Sequence, residues 1–200
     1  MSKTTPLGPV LLVVDLQQCL VEGDPSEGPR STPDLVQNVA SILSNWRSRS
    51  WPVIHINHHS LDPADPLHAT QTETNAPHPC AAPIGDEKLF IKHVGSPFVA
   101  TGLPSMLQVL NDENGGEKRK LVVIGMDGAQ CVNSTTRHAA DLGYDVVVVS
   151  DACSTYGISS WRSGGKAWSA EESHDIAMSM LDGYAKVTVT NDLIDVLGFQ

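Results

Sequence analysis

The sequence of 200 residues has no surplus of positive charge and no long apolar run. Its 13 Lys and Arg are outnumbered by 23 Asp and Glu, which gives a net charge of -10. Because phosphate contacts supply much of the affinity for nucleic acids, this composition argues against nucleic-acid binding. No apolar segment approaches the roughly 20 residues that a membrane-spanning helix needs. The first ten residues also lack the apolar region of a signal peptide, so we predict no membrane association.

Paired-cysteine and nucleotide-binding motifs are also absent. The four cysteines lie far apart with no C-x-x-C spacing, which predicts reduced thiols and a cytoplasmic location; they are Cys19, Cys80, Cys131 and Cys153. No G-x-G-x-x-G or phosphate-binding loop occurs, so a nucleotide-binding protein is disfavoured and no cofactor is predicted. The length and the 40% hydrophobic content indicate a single globular domain over residues 1–200.

What the chain does contain is an alternation of short apolar runs with helical patterns. The predicted strands are 10–14, 52–57, 88–92, 121–124, 145–152 and 186–190. Such alternation is typical of an α/β fold with a mostly parallel six-stranded sheet and helices on both faces. Residues 58–86 and 153–168 form two long irregular regions, which in compact domains are usually functional or disordered.

Cys131 is the first candidate for chemistry. It follows the apolar strand 121–124 after a short turn and stands at the predicted start of a helix. The positive end of a helix favours a thiolate, and its free N–H groups can also hold an oxyanion. The alternative is a small buried cysteine that packs the helix against the sheet.

Asp15 and Lys92 stand at the ends of two other predicted strands. Ligands of parallel α/β sheets bind beyond these carboxyl ends, so we expect both residues to face the same crevice as Cys131. An aspartate beside a thiol can act as general base, and a lysine can orient that carboxylate. Alone, Asp15 could be a turn former and Lys92 a solvated side chain. In the commonest strand order Lys92 lies two strands from Asp15, so its side chain must reach inward.

Three segments together resemble the isochorismatase-like cysteine hydrolases, which include nicotinamidases and carbamoylsarcosine amidohydrolase. They are VVDLQQ around Asp15, KHVGSPFVATGL from Lys92, and GMDGAQC at Cys131 continuing to SDA at 150–152. The resemblance implies a Rossmann-like three-layer α/β/α sandwich with the catalytic triad Asp15, Lys92 and Cys131. It also implies a cis peptide between Met126 and Asp127, an oxyanion hole formed by the amides of Asp127 and Cys131, and a homo-oligomer.

The sequence departs from that family pattern at several positions. Gly128 stands where many relatives have threonine, which we expect to loosen the turn or admit a bulkier substrate, and Leu20 stands where an aromatic residue is common. Nicotinamidase relatives hold a metal through an Asp-x-His element, whereas this chain has Asn57 two residues before His59. We therefore predict no metal site.

A complete triad favours hydrolysis of a small carboxamide or related C–N bond through a thioester acyl-enzyme. Four aromatic residues could stack on a planar small-molecule substrate, or could pack a lid or subunit contact: Phe98, Tyr156, Trp161 and Trp168. Two other functions stay open. One is an isochorismatase-type vinyl-ether hydrolase, which would not use the thiol, and the other is a non-catalytic scaffold that retains the fold.

Overall fold

A six-stranded sheet in which every pairing is parallel forms the centre of the fold. The computed structural model describes residues 7–23 and 28–198. The strands are β1 (Val10–Val14), β2 (Val53–His58), β3 (Lys88–Lys92), β4 (Leu121–Gly125), β5 (Val146–Cys153) and β6 (Lys186–Thr188). Their order across the sheet is β3-β2-β1-β4-β5-β6.

Helices cover both faces of this sheet. They are α1 (Gln18–Glu22), α2 (Leu35–Ser48), α3 (Leu103–Glu113), α4 (Cys131–Asp141), α5 (Ala170–Ser179) and α6 (Leu193–Leu197). Single-turn 3-10 helices occur at Pro79–Ala81 and Thr190–Asp192. Helices α3, α4 and α5 pack on one face of the sheet, and α1, α2 and α6 on the other. The prediction of an α/β/α sandwich is therefore confirmed.

The alternation of side chains along β1 explains its unbroken apolar sequence. Leu12 and Val14 belong to the core beneath α3, α4 and α5, while Leu11 and Val13 belong to the core beneath α1, α2 and α6. A central parallel strand that is buried on both faces needs apolar residues at every position. All five residues of β1 are buried.

Gly125 brings the carboxyl ends of β1 and β4 together. Its φ of 134° is poorly accessible to other residues, and a Cβ there would lie 1.9 Å from the carbonyl oxygen of Val14. The next amide, that of Met126, donates a 2.9 Å hydrogen bond to the same oxygen. As a result, the residue after β1 and the turn that opens α4 meet at one point of the sheet edge.

The helices in the described part of the chain include none with the length and apolar character of a membrane span.

Candidate active site

Asp15, Lys92 and Cys131 meet at the carboxyl edge of the sheet. Asp15 directly follows β1, Lys92 is the last residue of β3, and Cys131 is the first residue of α4. The Lys92 Nζ lies 2.6 Å from Asp15 Oδ2 and 3.2 Å from Cys131 Sγ. Asp15 has a φ of 51°, a left-handed conformation that is uncommon for a residue with a side chain.

Lys92 reaches Asp15 across the end of the intervening strand β2. The register pairs His58, at the end of β2, with Lys92 on β3, and the Nζ lies 3.3 Å from His58 Nδ1. An ammonium group has three N–H donors, and here it faces three acceptors, on Asp15, His58 and Cys131. Burial and the Lys92 charge lower the pKa of His58, which keeps the ring neutral and able to accept.

His58 is thus a site residue that the sequence analysis did not select. The available signal was its place directly after the predicted strand 52–57, at the same carboxyl edge of the sheet as Lys92.

Gln17 fixes the position of His58. The Gln17 side chain is fully buried; its Oε1 accepts from the His58 amide at 2.8 Å, and its Nε2 donates to the His58 carbonyl at 3.0 Å. The same Nε2 donates to the carbonyl of Asn75 at 3.0 Å. Gln17 therefore ties the segment after Asp15 to the end of β2 and to the long loop that follows it.

The electrostatics of the site favour a protonated resting thiol. Burial raises the pKa of the Cys131 thiol to about 12; the charge of Asp15 adds to this, and that of Lys92 opposes it. Burial and the charge of Asp15 thus act against the stabilisation of a thiolate that we predicted from the helix start. Burial also raises the pKa of Asp15, and the Lys92 charge opposes that rise.

One oxygen of Asp15 is left for a further partner. Asp15 Oδ1 is buried and accepts no hydrogen bond of good geometry from the described residues. The Cys131 thiol nevertheless interacts with this carboxylate and acts to lower its pKa. A carboxylate that is held by Lys92 through one oxygen and interacts with the thiol is arranged to take the thiol proton.

The turn between β4 and α4 contains the two amides, of Asp127 and Cys131, that were predicted to form an oxyanion hole. The Met126–Asp127 peptide is cis. Within the described residues, neither the Asp127 amide nor the Cys131 amide donates a hydrogen bond. The Asp127 carboxylate accepts from the Ala129 amide at 2.7 Å and from the Tyr156 amide at 3.4 Å, and burial raises its pKa.

Gly128 faces away from the site. A Cβ there would lie 2.5 Å from Thr155 Oγ1, 3.3 Å from Met178 Cε and 3.4 Å from His174 Nδ1. The expectation that Gly128 admits a bulkier substrate is therefore wrong, because the space of the missing side chain is taken by Thr155 behind the turn.

A cavity of about 760 Å³ opens over the three residues. Its lining consists of Asp15, Cys19, Leu20, His58, Leu67, Gly95, Asp127, Gln130, Cys131, Tyr156, Gly157, Ile158 and Ser159. Both long irregular regions contribute to it, the first through His58 and Leu67 and the second through Tyr156 to Ser159.

Of the four aromatic residues proposed for the pocket, only Tyr156 lines this cavity. Phe98 is buried in the core, with its ring 5.1 Å from that of His138. Trp161 is 85% exposed, and the Arg162 guanidinium lies 4.8 Å from its ring centre. Trp168 lines a separate groove with Ile158, Ile176 and Met180. Their sequence context could not distinguish core, surface and cavity positions.

The histidines near the cavity do not form a metal-binding set. No group of three His, Cys, Asp or Glu side chains within residues 7–23 and 28–198 is placed to hold a metal ion. His93 Nδ1 lies 2.8 Å from the His59 carbonyl oxygen, and the two rings meet edge to face with their centres 6.5 Å apart. The residues present therefore do not fit the metal of the nicotinamidase relatives.

Comparison with known proteins places the chain in one group. The family model of the isochorismatase domain matches residues 9–192. The uncharacterized isochorismatase family protein YrdC of Bacillus subtilis is 30% identical over 186 residues, covering 92% of this chain and 94% of that protein. The streptothricin hydrolase of Streptomyces noursei is 30% identical over 149 residues, covering 74% of this chain and 50% of that enzyme.

The solved structures agree with the sequence relatives. An isochorismatase-family protein from Chromobacterium violaceum has 35% sequence identity and a TM-score of 0.83, with 98% of each chain covered. An isochorismatase-family protein from Oleispira antarctica has 29% identity and a TM-score of 0.81, covering 97% of this chain and 100% of that chain.

Proposed function

The chain belongs to the isochorismatase family of hydrolases, and from this we propose that it is a cysteine hydrolase of a small carboxamide or related C–N bond. The observation that carries the proposal is the Lys92 ammonium, 2.6 Å from the Asp15 carboxylate and 3.2 Å from the Cys131 sulfur. A nucleophile, a base and a group that orients the base form the arrangement expected for acyl transfer through a covalent intermediate.

In the first half of the reaction, the Cys131 sulfur attacks the substrate carbonyl carbon while Asp15 takes the thiol proton. A C–S bond forms, and the carbonyl oxygen becomes an oxyanion held by the amides of Asp127 and Cys131. Asp15 then delivers the proton to the nitrogen, the C–N bond breaks, and an amine or ammonia leaves. The Lys92 charge stabilises the Asp15 carboxylate at the start and the developing thiolate during attack.

The second half repeats these steps with water. Asp15 removes a proton from a water molecule, whose oxygen attacks the thioester carbon. The C–S bond breaks, the sulfur recovers its proton from Asp15, and a carboxylic acid leaves. A thiol that is protonated at rest suits this scheme, since the same carboxylate can carry the proton in both halves.

Trapping the acyl-enzyme tests the proposal without knowledge of the natural substrate. p-Nitrophenyl acetate, an activated ester, should release a burst of p-nitrophenolate and add one acetyl group to Cys131, measured by intact and peptide mass spectrometry. In parallel, a panel of small primary amides is screened for ammonia release. Cys131→Ala should lower both activities on the order of 10³-fold or more, because the nucleophile is lost.

Two further variants complete the test. Asp15→Asn and Lys92→Ala should also abolish turnover while circular dichroism reports an intact fold. Cys19→Ser is the matched control, because Cys19 lines the same cavity and has no place in the mechanism. Amide hydrolysis that survives in Cys131→Ala would rule out the nucleophilic mechanism, and vinyl-ether cleavage that survives there would favour the isochorismatase-type reaction.

A further inference from the structure

We infer that the substrate of this site is uncharged or cationic, and that anions, dicarboxylates included, are excluded from the cavity. This inference rests on the proposed function and assigns its substrate class. Three observations support it. They are the charges of the residues that line the cavity, the Asp127 carboxylate at the N-terminus of α4, and the oxygen of Asp15 that has no hydrogen-bond donor.

Within residues 7–23 and 28–198, no Lys or Arg side chain lines the cavity. The ionisable residues of this lining are Asp15, Asp127, His58, Tyr156 and the two cysteines Cys19 and Cys131. Lys92 lies behind this lining, 1% exposed, with its three N–H groups directed to Asp15, His58 and Cys131. Its charge is therefore matched within the site and not available to a substrate anion.

Arg162 and Arg30, which do not line the cavity, make contacts with other groups. Arg162, in the loop beyond Ser159, lies over the ring of the exposed Trp161. Arg30 Nε donates to the carbonyl of Val21 at 3.1 Å. His58 accepts a hydrogen bond from Lys92 through Nδ1, so it is neutral in this arrangement.

The helix end that could attract an anion is already compensated. The N-terminus of α4 points into the site, and helix N-termini favour negative charge. The Asp127 carboxylate, however, lies at that end and accepts the Ala129 amide at 2.7 Å. The remaining free amides, those of Asp127 and Cys131, are sufficient for one developing oxyanion and not for a second charge.

The free oxygen of Asp15 also selects against acceptor-only ligands. Asp15 lines the cavity, and its Oδ1 is buried and has no hydrogen-bond donor of good geometry among the described residues. A substrate N–H would satisfy it, whereas a substrate carboxylate would place a second negative charge against it. Burying a charge without a partner is costly, so selection by repulsion is strong in such a site.

Three thiol-specific reagents of similar size and different charge test this inference. 2-Hydroxyethyl, 2-aminoethyl and 2-sulfonatoethyl methanethiosulfonate each transfer their alkylthio group to a cysteine sulfur, forming an S–S bond and releasing methanesulfinate. The rate at Cys131 is followed by peptide mass spectrometry in a Cys19→Ser background, because Cys19 lines the same cavity. Ratios between reagents cancel the small thiolate fraction, which is common to all three.

The matched reference is a surface thiol on the same protein. Ser44 is exposed on α2. Ser44→Cys in a Cys19→Ser, Cys131→Ala background therefore has the same net charge, but its reactive thiol lies outside the cavity. Measurements in 0.5 M NaCl screen the field of the whole molecule. We expect the ratio of the sulfonatoethyl rate to the hydroxyethyl rate to be at least tenfold lower at Cys131 than at the reference, and the corresponding aminoethyl ratio to be equal or higher.

An anion ratio at Cys131 within twofold of the reference would overturn the inference. Asp127→Asn should raise the anion ratio several-fold at Cys131, and an unchanged ratio would overturn the role given to that carboxylate. The comparison of Cys131 with the Ser44→Cys reference tests the inference even where Asp127→Asn does not fold. The reagents do not require turnover, so failure here is distinct from failure of the proposed function, which is shown by activity in Cys131→Ala.

Discussion

Lys92 holds its ammonium group among three acceptors, and His58 is the one of these that takes no part in the bond changes of the proposed reaction. Its contribution is to keep the Lys92 side chain extended across the end of β2. The pairing of His58 with Lys92 and the clamp from Gln17 both fix its position. At the scale of single residues, His58 is thus a positioning residue.

Two substitutions of His58 should distinguish its role as a hydrogen-bond acceptor from the effect of its protonation. Asparagine places an amide oxygen close to the position of His Nδ1, so His58→Asn should keep most of the acylation rate with p-nitrophenyl acetate. His58→Leu leaves one donor of a buried ammonium unpaired and should lower that rate roughly 10- to 100-fold. Equal rates in the two variants would contradict the positioning role.

The pH profile of these variants gives a second readout. In the wild type, His58 should gain a proton only below its ordinary range, since burial and Lys92 lower its pKa, while the neighbouring Asp65 opposes this and His93 and His59 reinforce it. The imidazolium then repels Lys92 and the rate falls. His58→Asn should lose this part of the acid limb and retain the part that belongs to Asp15.

Asp15→Asn should change labelling and catalysis in opposite directions. Its negative charge helps to raise the pKa of the Cys131 thiol, so its removal should speed reaction of Cys131 with iodoacetamide at pH 7 while amide hydrolysis is lost. In the wild type, labelling should be slow at pH 7 and still rise above pH 9. Cys19, whose pKa is raised to about 11, is labelled in the same sample and serves as the internal control.

At the scale of elements, the start of α4 is held against α5 through the space beside Gly128. Gly128→Ala places a Cβ 2.5 Å from Thr155 Oγ1 and should lower the free energy of unfolding by about 1–3 kcal/mol. Urea denaturation measures this loss. Thr155→Ala removes the clashing atom, so the double variant should be more stable than the sum of the single losses predicts. If the losses of the two single variants simply add in the double variant, the contact between residues 128 and 155 does not cause the loss of stability.

The strand elements were predictable because each is a short apolar run with clear ends. Asp15, Lys92 and Cys131 could be selected since the ends of parallel strands meet at one edge, whatever the details of packing. The role of His58 depends on the register between β2 and β3, which no local pattern encodes. The protonation of Cys131 depends on burial and on its approach to Asp15. The positions of Phe98, Trp161 and Trp168 depend on the paths of the loops that carry them.

At the scale of the whole molecule, acid should destabilise the fold. Burial lowers the pKa values of His55, His58, His59 and His174, so the folded chain binds these protons more weakly than the unfolded chain. Stability is therefore lost as the pH falls below about 6.5. The urea midpoint should drop between pH 7.5 and pH 5. His174→Gln should reduce this drop, and a flat or rising midpoint would contradict the prediction.

Glu87 extends this loss to lower pH. Although its burial alone would raise the pKa, the Arg47 guanidinium, the Ile84 amide and the His55 ring lower it to about 2. Its contribution is present above the ordinary glutamate range and disappears as the pH falls toward 2. Asp15 and Asp127, whose pKa values are raised, act in the opposite direction.

The order β3-β2-β1-β4-β5-β6 divides the sheet into two halves that are also two halves of the chain. Asp15 and Lys92 belong to the first half and Cys131 to the second, and the exposed turn at Gly115 and Gly116 separates them. Two fragments cut at that turn would each lack part of the proposed triad, and the three residues would come together again only when β1 pairs with β4. The reactivity of the Cys131 thiol would then report the association of two separately expressed polypeptides.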